Sequence, residues 1–340
     1  MKKLFIIISI VIMFGSVWYI RSLPPVTTLP EPVRVIVPHN TPQSSTTPLK
    51  DISVGSSTSL RTISILPATI IPGVPVMVTI SSSTDRVYGD TISSTSYPYS
   101  ISQPAPKKLL FDGKTTPLFV FNGSWRAFIP IDFNETKSQH EIRVLYSDGT
   151  YSTTSLTVIP HIKKVEPLGI PDKLGGNTPV AQKKLVDNLA IENATLNSIK
   201  TATSTFWAEP FRGPLARLVI TDPYGYNRQT GNYTIAHKGT DFRADVGTEV
   251  LAMNSGVVRI AKLYTIYGNT IAIDHGLGVQ TLYMHLSELN VKTGDLVKAG
   301  DVIGLSGKTG YAESPHLHIS IKIAGTSIDP MVFLGFFEVK

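Results

Sequence analysis

The sequence contains no cysteine among its 340 residues. This absence excludes disulfide bonds, thiolate nucleophiles, cysteine metal ligands and a lipoprotein anchor. It neither requires nor excludes an oxidising compartment, because many extracytoplasmic proteins fold without disulfides. Any metal site in this chain must therefore be built from imidazole and carboxylate groups.

Long apolar runs are also scarce, and the clearest one lies at residues 4–20. Its length is near the short end of the roughly 17–25 residues that span a bilayer. Lys2 and Lys3 precede it and would keep the N-terminus in the cytoplasm. Because bulky aromatic residues stand where a signal peptide needs small ones, residues 1–21 are predicted to be a membrane anchor, with a cleaved signal peptide as the alternative. The protein is then expected in the cell envelope, outside the cytoplasm and anchored to the cytoplasmic membrane, or secreted if this segment is removed.

The net charge of +6 does not indicate a nucleic-acid-binding protein. Residues 1–50 hold five Lys and Arg but one acidic residue, whereas the remainder of the chain is nearly balanced. A basic face on a folded domain is the usual mark of nucleic-acid binding, and no such face is evident. We therefore expect no nucleic-acid partner.

The first half of the chain changes composition twice. Residues 22–50 contain seven prolines interspersed with Ser and Thr, which is typical of an extended linker. Residues 51–160 read as short β-strands separated by turns. Asp148-Gly149 lies between two apolar-alternating runs and predicts a hairpin. We predict a small β-sandwich for residues 51–160.

Residues 161–209 are predicted to form a helical connector with one helix at residues 178–203. Thr178 can cap this helix and Pro179 suits its first turn. One face carries apolar residues at helical spacing, interrupted by Glu192. The members of this stripe are Leu185, Leu189, Glu192, Leu196 and Ile199. We expect the helix to pack on a neighbouring domain; the alternative is that it covers a functional groove as an inhibitory element.

Residues 210–340 read as all-β. The predicted strands are residues 248–253, 256–261, 269–274, 279–284, 302–305 and 317–323. The glycine-spaced hairpin at residues 294–304 is similar to those of non-enzymatic lipoyl-like barrels and therefore bears on fold alone. The expected fold class is mainly β: an anchor helix, a small β-sandwich, one connecting helix, and an antiparallel β domain folded around a groove with lipoyl-like barrel features.

Histidine is concentrated in this last region. Five of the eight histidines lie between residues 237 and 318: His237, His275, His285, His316 and His318. In a strand, residues at i and i+4, such as His237 and Asp241, point to one face. His316 and His318, at i and i+2, also share a face. This pattern can bring two imidazoles and a carboxylate around one ion and leave two imidazoles for catalysis; zinc accepts such ligands.

The order of these motifs resembles the lysostaphin-type zinc metallopeptidases, which cut bacterial cell-wall peptides. The matching stretches are His237-Lys-Gly-Thr-Asp-Phe242, Ile273-Asp-His-Gly276, Leu282-Tyr-Met-His-Leu-Ser287, Val291-Lys-Thr-Gly-Asp-Leu-Val297 and Ser314-Pro-His-Leu-His318. The resemblance covers roughly residues 210–332, and the ordered set is specific. In addition, Phe111-Asp-Gly-Lys and residues 125–132 resemble the all-β domain that precedes the peptidase in some members.

The resemblance implies a role for each matching side chain. His237, Asp241 and His318 are the expected ligands of one zinc ion per chain. His285 and His316 are the expected catalytic pair, which orients and deprotonates the attacking water.

Three further residues lie near these motifs. His275 is interpreted as a structural or groove-wall residue. Tyr233 and Arg228 precede His237 where family members often place substrate-contacting groups, and Tyr233 is the hypothetical oxyanion donor.

The implied function is zinc-dependent endopeptidase activity on peptidoglycan stems or cross-links during cell-wall remodelling. One alternative is a non-catalytic, zinc-binding adaptor that activates other wall hydrolases, and a weaker one is a peptidase of secreted proteins. The expected partners are a peptidoglycan peptide, the membrane through the N-terminal helix, and an envelope regulatory protein.

Overall fold

The computed structural model describes residues 33–36, 60–83 and 104–337. The predicted anchor at residues 1–21 and most of the predicted linker therefore lie outside the described residues. Within the described ranges, no helix combines the length and hydrophobicity needed to cross a bilayer. These ranges contain 23 strands, two α-helices and one 3-10 helix, so the prediction of a mainly β protein is confirmed.

Nine strands form two antiparallel sheets in the first half of the chain. They are β1 (Val33–Ile36), β2 (Leu60–Leu66), β3 (Pro75–Ser83), β4 (Pro106–Phe111), β5 (Lys114–Thr116), β6 (Phe119–Phe121), β7 (Ser124–Pro130), β8 (Gln139–Tyr146) and β9 (Tyr151–Thr157). One sheet has the order β1-β2-β3-β7-β6 and the other β5-β4-β8-β9. Strands β8 and β9 pair across the Asp148-Gly149 turn, which confirms the predicted hairpin. We call this pair of sheets the sandwich.

Side chains of the first sheet alternate between two cores. Val76 and Val78 on β3 and Ile129 on β7 point between the two sheets, where they pack with residues of β8 and β9. Met77 and Phe128 point the opposite way. They belong to a second core that continues into the C-terminal half of the chain. The first sheet is thus covered on both faces, and the sandwich is packed against the rest of the protein.

The connector contains β10 (Val165–Pro167), a 3-10 helix (Asp172–Leu174) and α1 (Pro179–Asn197). Thr178 caps α1 as predicted, because its hydroxyl oxygen accepts a hydrogen bond from the Ala181 N–H at 3.3 Å. The prediction that the helix continues to about residue 203 is wrong. The Ser198 hydroxyl donates to the Thr195 carbonyl at the helix end, and the following chain is drawn away as Ala202 N–H donates to Asp274.

The buried face of α1 packs on the C-terminal sheet. Leu196 is 1% exposed and contacts a cluster that includes Ile260 and Leu282. Ala181 and Leu185 pack near Ile266. The expectation that this helix packs on a neighbouring domain is therefore confirmed.

The C-terminal half consists of thirteen strands and one short helix. They are β11 (Ile220–Asp222), β12 (Asn227–Thr230), β13 (Tyr233–Ala236), β14 (Thr240–Phe242), β15 (Glu249–Leu251), β16 (Gly256–Tyr264), β17 (Gly268–Gly276), β18 (Val279–Leu286), β19 (Glu288–Leu289), β20 (Leu296–Val297), β21 (Val302–Leu305), β22 (Leu317–Ile323), β23 (Thr326–Ile328) and α2 (Pro330–Gly335). The main sheet has the antiparallel order β11-β14-β22-β18-β17-β16-β20, with β23 added to β22. A smaller sheet, β15-β21-β19, lies beside it, and β10 pairs with β12.

The main sheet has one apolar and one partly polar face. Leu317, Ile319 and Ile321 on β22 point into the second core, together with side chains of α2 and of the small sheet. His318, Ser320 and Lys322 alternate with them and therefore share the other face. This second face carries the polar groups described next.

Candidate metal centre

Three potential metal ligands converge on the polar face of the main sheet. Asp241 on β14 lies directly opposite His318 on β22 in the antiparallel register, so both side chains point to the same side. His237 stands just before β14. One ligand atom from each of these three residues lies within 4.8 Å of the others. The structure thus brings together the three predicted zinc ligands.

Gly239 explains why the chain between His237 and Asp241 can lie so close to β22. A β-carbon at this position would lie 2.2 Å from His318 Nε2 and 2.6 Å from the Ile319 carbonyl oxygen. Both distances are far below van der Waals contact. Glycine is therefore required at position 239, in the middle of the motif His237-Lys-Gly-Thr-Asp241, because only glycine lets the two backbones approach so closely.

The hydrogen bonds of the two ligand histidines leave a bare nitrogen on each ring. His237 Nδ1 lies 2.9 Å from the Pro223 carbonyl oxygen, an acceptor, so this nitrogen carries the proton. His318 Nε2 lies 3.0 Å from the Ser320 hydroxyl, which itself donates to the Lys238 carbonyl. His318 Nε2 must therefore be the donor. His237 Nε2 and His318 Nδ1 remain unprotonated.

These two nitrogens face the same carboxylate oxygen. Asp241 Oδ1 lies 2.6 Å from His318 Nδ1 and 3.3 Å from His237 Nε2. Three electron-pair donors at such separations repel each other unless a cation lies among them. Two imidazole nitrogens and one carboxylate oxygen are ligands that a catalytic zinc site uses, whereas calcium and magnesium prefer oxygen alone. The residues present fit a metal ion, and their chemistry favours zinc.

The electrostatics of the centre keep the ligands in their binding forms. Burial alone would raise the pKa of Asp241, but the positive charge and the hydrogen bonds that the imidazoles of His318 and His237 offer when they are protonated lower that pKa well below its usual value. Burial lowers the pKa of His318, against the opposing effect of Asp241. The carboxylate is therefore charged and the imidazole neutral near pH 7, as metal binding requires.

His285 lies beside these ligands at the end of β18. Its backbone φ is 63°, in the left-handed region that residues other than glycine rarely adopt. Its Nδ1–H donates to the Thr309 carbonyl oxygen at 2.8 Å, which leaves Nε2 bare. Burial, followed by the proximity of His316 and His318, lowers the pKa of His285 to about 3. His285 therefore presents a neutral imidazole.

His316 completes the group of four histidines. Its ring centroid lies 4.9 Å from that of His285, and its Nε2 lies 3.9 Å from Asp241 Oδ1. Its Nδ1 lies 2.8 Å from the Ser314 carbonyl oxygen, so Nε2 is again the free nitrogen. Both predicted catalytic histidines thus stand next to the predicted ligands, each fixed through Nδ1 to a backbone carbonyl.

The fifth histidine lies elsewhere. His275 is fully buried on the opposite, apolar face of the main sheet. Its two ring nitrogens lie 2.8 Å from the Ser255 carbonyl and 2.8 Å from the Thr281 hydroxyl, so neither is free. The structure therefore places His275 as a core residue.

Arg228 is tied to the centre through a polar network. Its guanidinium donates to Asp241 Oδ2 at 3.3 Å and also to Asp222. The Tyr226 hydroxyl donates to Asp222 at 2.6 Å and accepts from Arg228. Asp241 thus uses one oxygen toward the imidazoles and the other toward Arg228, which fixes its orientation.

Tyr233 is not part of this constellation. It stands at the opposite end of β13 from His237. The hypothesis of an oxyanion donor at Tyr233 gains no support from this placement. Ser320 was missed by the sequence analysis, although its spacing of two residues from His318 places it on the same strand face.

Comparison with known proteins places these residues in a family. Residues 235–330 match the model of "Peptidase family M23". A "Peptidoglycan DD-endopeptidase ShyA" from Vibrio cholerae is 41% identical over 95 residues, which are 28% of this chain and 22% of that protein. "Lysostaphin" from Staphylococcus staphylolyticus is 42% identical over 123 residues, 33% of this chain and 25% of that protein. The chain therefore spans about a quarter of the length of these curated relatives.

The likeness in fold extends beyond the matched residues. A crystal structure of a putative peptidase M23 from Pseudomonas aeruginosa superposes with a TM-score of 0.54, covering 78% of this chain and 95% of that one. The two chains are 22% identical, so this likeness concerns the fold alone. It includes strands before residue 235, which the family model does not cover.

Proposed function

Because the C-terminal domain of this chain belongs to peptidase family M23, of the lysostaphin type, we propose that the protein is a zinc-dependent endopeptidase acting on peptidoglycan stems or cross-links. The observation that carries the proposal is the convergence of His237, Asp241 and His318 beside two further histidines with free ring nitrogens. Relatives named as peptidoglycan endopeptidases support the choice of substrate.

The proposed role of each side chain follows from which of its nitrogen or oxygen atoms is free to bind. His237, Asp241 and His318 would hold the zinc ion. When bound, zinc would supply Lewis acidity and lower the pKa of its water to about 7. His285 Nε2 is neutral and accepts the proton of the attacking water. His316, partly exposed at the edge of the centre, orients that water through its free Nε2, and the protonated His285 then gives the proton to the nitrogen of the leaving amine as the C–N bond breaks.

We further propose that the protein works in the cell envelope, outside the cytoplasm, anchored by residues 1–21. The apolar run at residues 4–20, preceded by Lys2 and Lys3, supports this placement. An envelope protein that regulates access to the wall is a further proposed partner. Cell fractionation tests the location: recovery of the chain in the cytosolic fraction would contradict it.

The decisive experiment incubates the full-length chain in detergent, first metal-free and then reloaded with zinc, with purified peptidoglycan. Mass spectrometry of the released muropeptides identifies the bond that is cut. We expect cleavage that requires zinc. His285→Ala should retain zinc and lose a factor of roughly 10²–10⁴ in rate, the usual contribution of a general base. Asp241→Ala should lose both zinc and activity.

The matched control is His161→Ala, which removes an exposed imidazole in the connector. It should cleave at the wild-type rate. A wild-type chain that binds one zinc ion and peptidoglycan, yet releases no muropeptide, would contradict the enzyme and favour the non-catalytic adaptor. Cleavage of protein substrates in preference to peptidoglycan would contradict the proposed substrate.

A further inference from the structure

A buried carboxylate of α1 is bound by three successive backbone amides of the main sheet's β16–β17 turn. Glu192 Oε1 accepts from the N–H groups of Thr265 and Ile266, at 2.7 and 2.9 Å. Glu192 Oε2 accepts from Ile266 and Tyr267, both at 3.1 Å. Glu192 is 5% exposed. A charged group in this setting is stable only because these donors replace its water, so helix and turn are held in one fixed relation.

The turn that Glu192 binds holds the backbone of His285. The His285 N–H donates to the Tyr267 carbonyl oxygen at 2.9 Å. The Tyr267 hydroxyl donates back to Asn193 of α1 at 2.8 Å. Tyr267 is thus fixed to the helix at its amide and at its side chain. Because His285 has a positive φ that its own side chain disfavours, its position depends on such external hydrogen bonds.

The same turn also holds the group that orients the His285 ring. His285 Nδ1–H donates to the carbonyl oxygen of Thr309. The Thr309 hydroxyl in turn accepts from the Asn269 N–H at 2.9 Å, and the Tyr311 N–H donates to the Ile266 carbonyl at 2.9 Å. The segment from Thr309 to Tyr311 is therefore bound to the turn at Ile266 and to the following strand β17 at Asn269.

We propose that Glu192 is a positioning residue of the active site: it fixes residues 265–267 and, through them, both hydrogen bonds that place the His285 imidazole. The inference rests on the proposed peptidase function. Glu192 touches neither a metal ligand nor the reacting atoms. Its effect should therefore appear in the catalytic step and not in metal binding, since His237, Asp241 and His318 lie on other segments.

The test is Glu192→Gln in the full-length, zinc-loaded chain. The amide keeps the shape of the carboxylate but turns one oxygen into an NH₂ donor that faces backbone N–H donors. We expect kcat to fall roughly 10- to 100-fold, the loss typical of a catalytic group displaced by about 1 Å. KM and the affinity for zinc should stay within two-fold. The matched control is Asp187→Asn on the same helix, which removes one charge from an exposed pair with Lys183 and should leave kcat unchanged.

Two additional measurements separate this inference from general destabilisation and from the proposed function. Tyr267→Phe removes only the hydrogen bond to Asn193 and should lower kcat by a smaller factor, even if Glu192→Gln does not fold. In NMR spectra of ¹⁵N-histidine-labelled protein, the ring Nδ1–H signal of His285 should shift or exchange faster in Glu192→Gln, but not in Asp187→Asn.

The outcomes are distinguishable. Wild-type kcat in both Glu192→Gln and Tyr267→Phe would overturn the positioning role while leaving the peptidase intact. Losses of kcat that merely parallel losses of bound zinc would also overturn it. If the wild-type chain is inactive but the His285 signal still responds to Glu192→Gln, the proposed peptidase function is refuted, whereas the positioning of His285 by Glu192 is supported.

Discussion

Ser320→Ala should weaken metal binding although Ser320 is not itself a ligand. The Ser320 hydroxyl accepts from His318 Nε2 and donates to the Lys238 carbonyl, at 3.0 and 2.9 Å. This relay keeps the proton of His318 on Nε2 and leaves Nδ1 bare toward Asp241. Without the hydroxyl, the His318 N–H and the Lys238 carbonyl both lose their partner, and the other tautomer of His318 becomes accessible.

The magnitude follows from the behaviour of such outer hydrogen bonds. Loss of a partner that orients a ligand histidine typically costs about 10- to 100-fold in metal affinity, or about 1.4–2.7 kcal/mol. Competition with a chromogenic zinc chelator measures the dissociation constant directly. The control is Ser155→Ala, an exposed serine on β9 of the sandwich. If Ser320→Ala binds zinc within two-fold of wild type while folding normally, the argument that the relay fixes the His318 tautomer is refuted.

Two other predictions concern stability. Burial lowers the pKa of His275 from 6.5 to about 4, so between these two pH values the unfolded chain binds a proton that the folded chain does not. The free energy of unfolding should therefore fall by about 3 kcal/mol as the pH drops from 6.5 to 4. Urea unfolding of His275→Gln should show a correspondingly weaker dependence on pH. If the stability of His275→Gln depends on pH as strongly as that of the wild type, the buried His275 is not the cause. Phe128→Ala should lower the free energy of unfolding by about 3–5 kcal/mol, because the ring is 5% exposed and packs between the sandwich and α2. The control is Val120→Ala, which changes an exposed residue on β6. If both variants lose the same free energy of unfolding, packing is not the reason.

The three expected metal ligands were identified through the family resemblance, and strand geometry accounts for the position of two of them. Asp241 and His318 each lie on a strand, and their side chains meet because the two strands pair in register. The main strands could be predicted because their apolar residues are regularly spaced. The extent of α1 was overestimated because Ile199 continues the apolar spacing. The helix nevertheless ends at Asn197, where the chain is drawn toward the edge of the main sheet.

The function of Glu192 was inaccessible for a different reason. In sequence it only interrupts an apolar stripe, and that pattern usually indicates a solvent-facing position. Its partners are backbone amides more than 70 residues further along the chain. A backbone N–H is present whatever the side chain, so the types of residues 265–267 could not have indicated this contact. The network of Asp222 and Arg228 around Asp241 was hidden similarly, because it depends on a hairpin whose pairing the sequence did not reveal.

The folding unit is larger than the segment that the family model matches. Residues 235–330 supply the small sheet and every strand of the main sheet except β11, but other parts of the chain also cover the two faces of the main sheet. The apolar face is covered by Phe128 of the sandwich and by Trp207, which pack with the aromatic residues of α2. Leu196 of α1 packs on the other face, and Glu192 of the same helix binds the turn between β16 and β17. An isolated C-terminal segment would expose both surfaces to water and would release the turn that holds His285. The preceding parts of the chain therefore act as structural components of the candidate metal centre, and the proposed activity should be measured with them present.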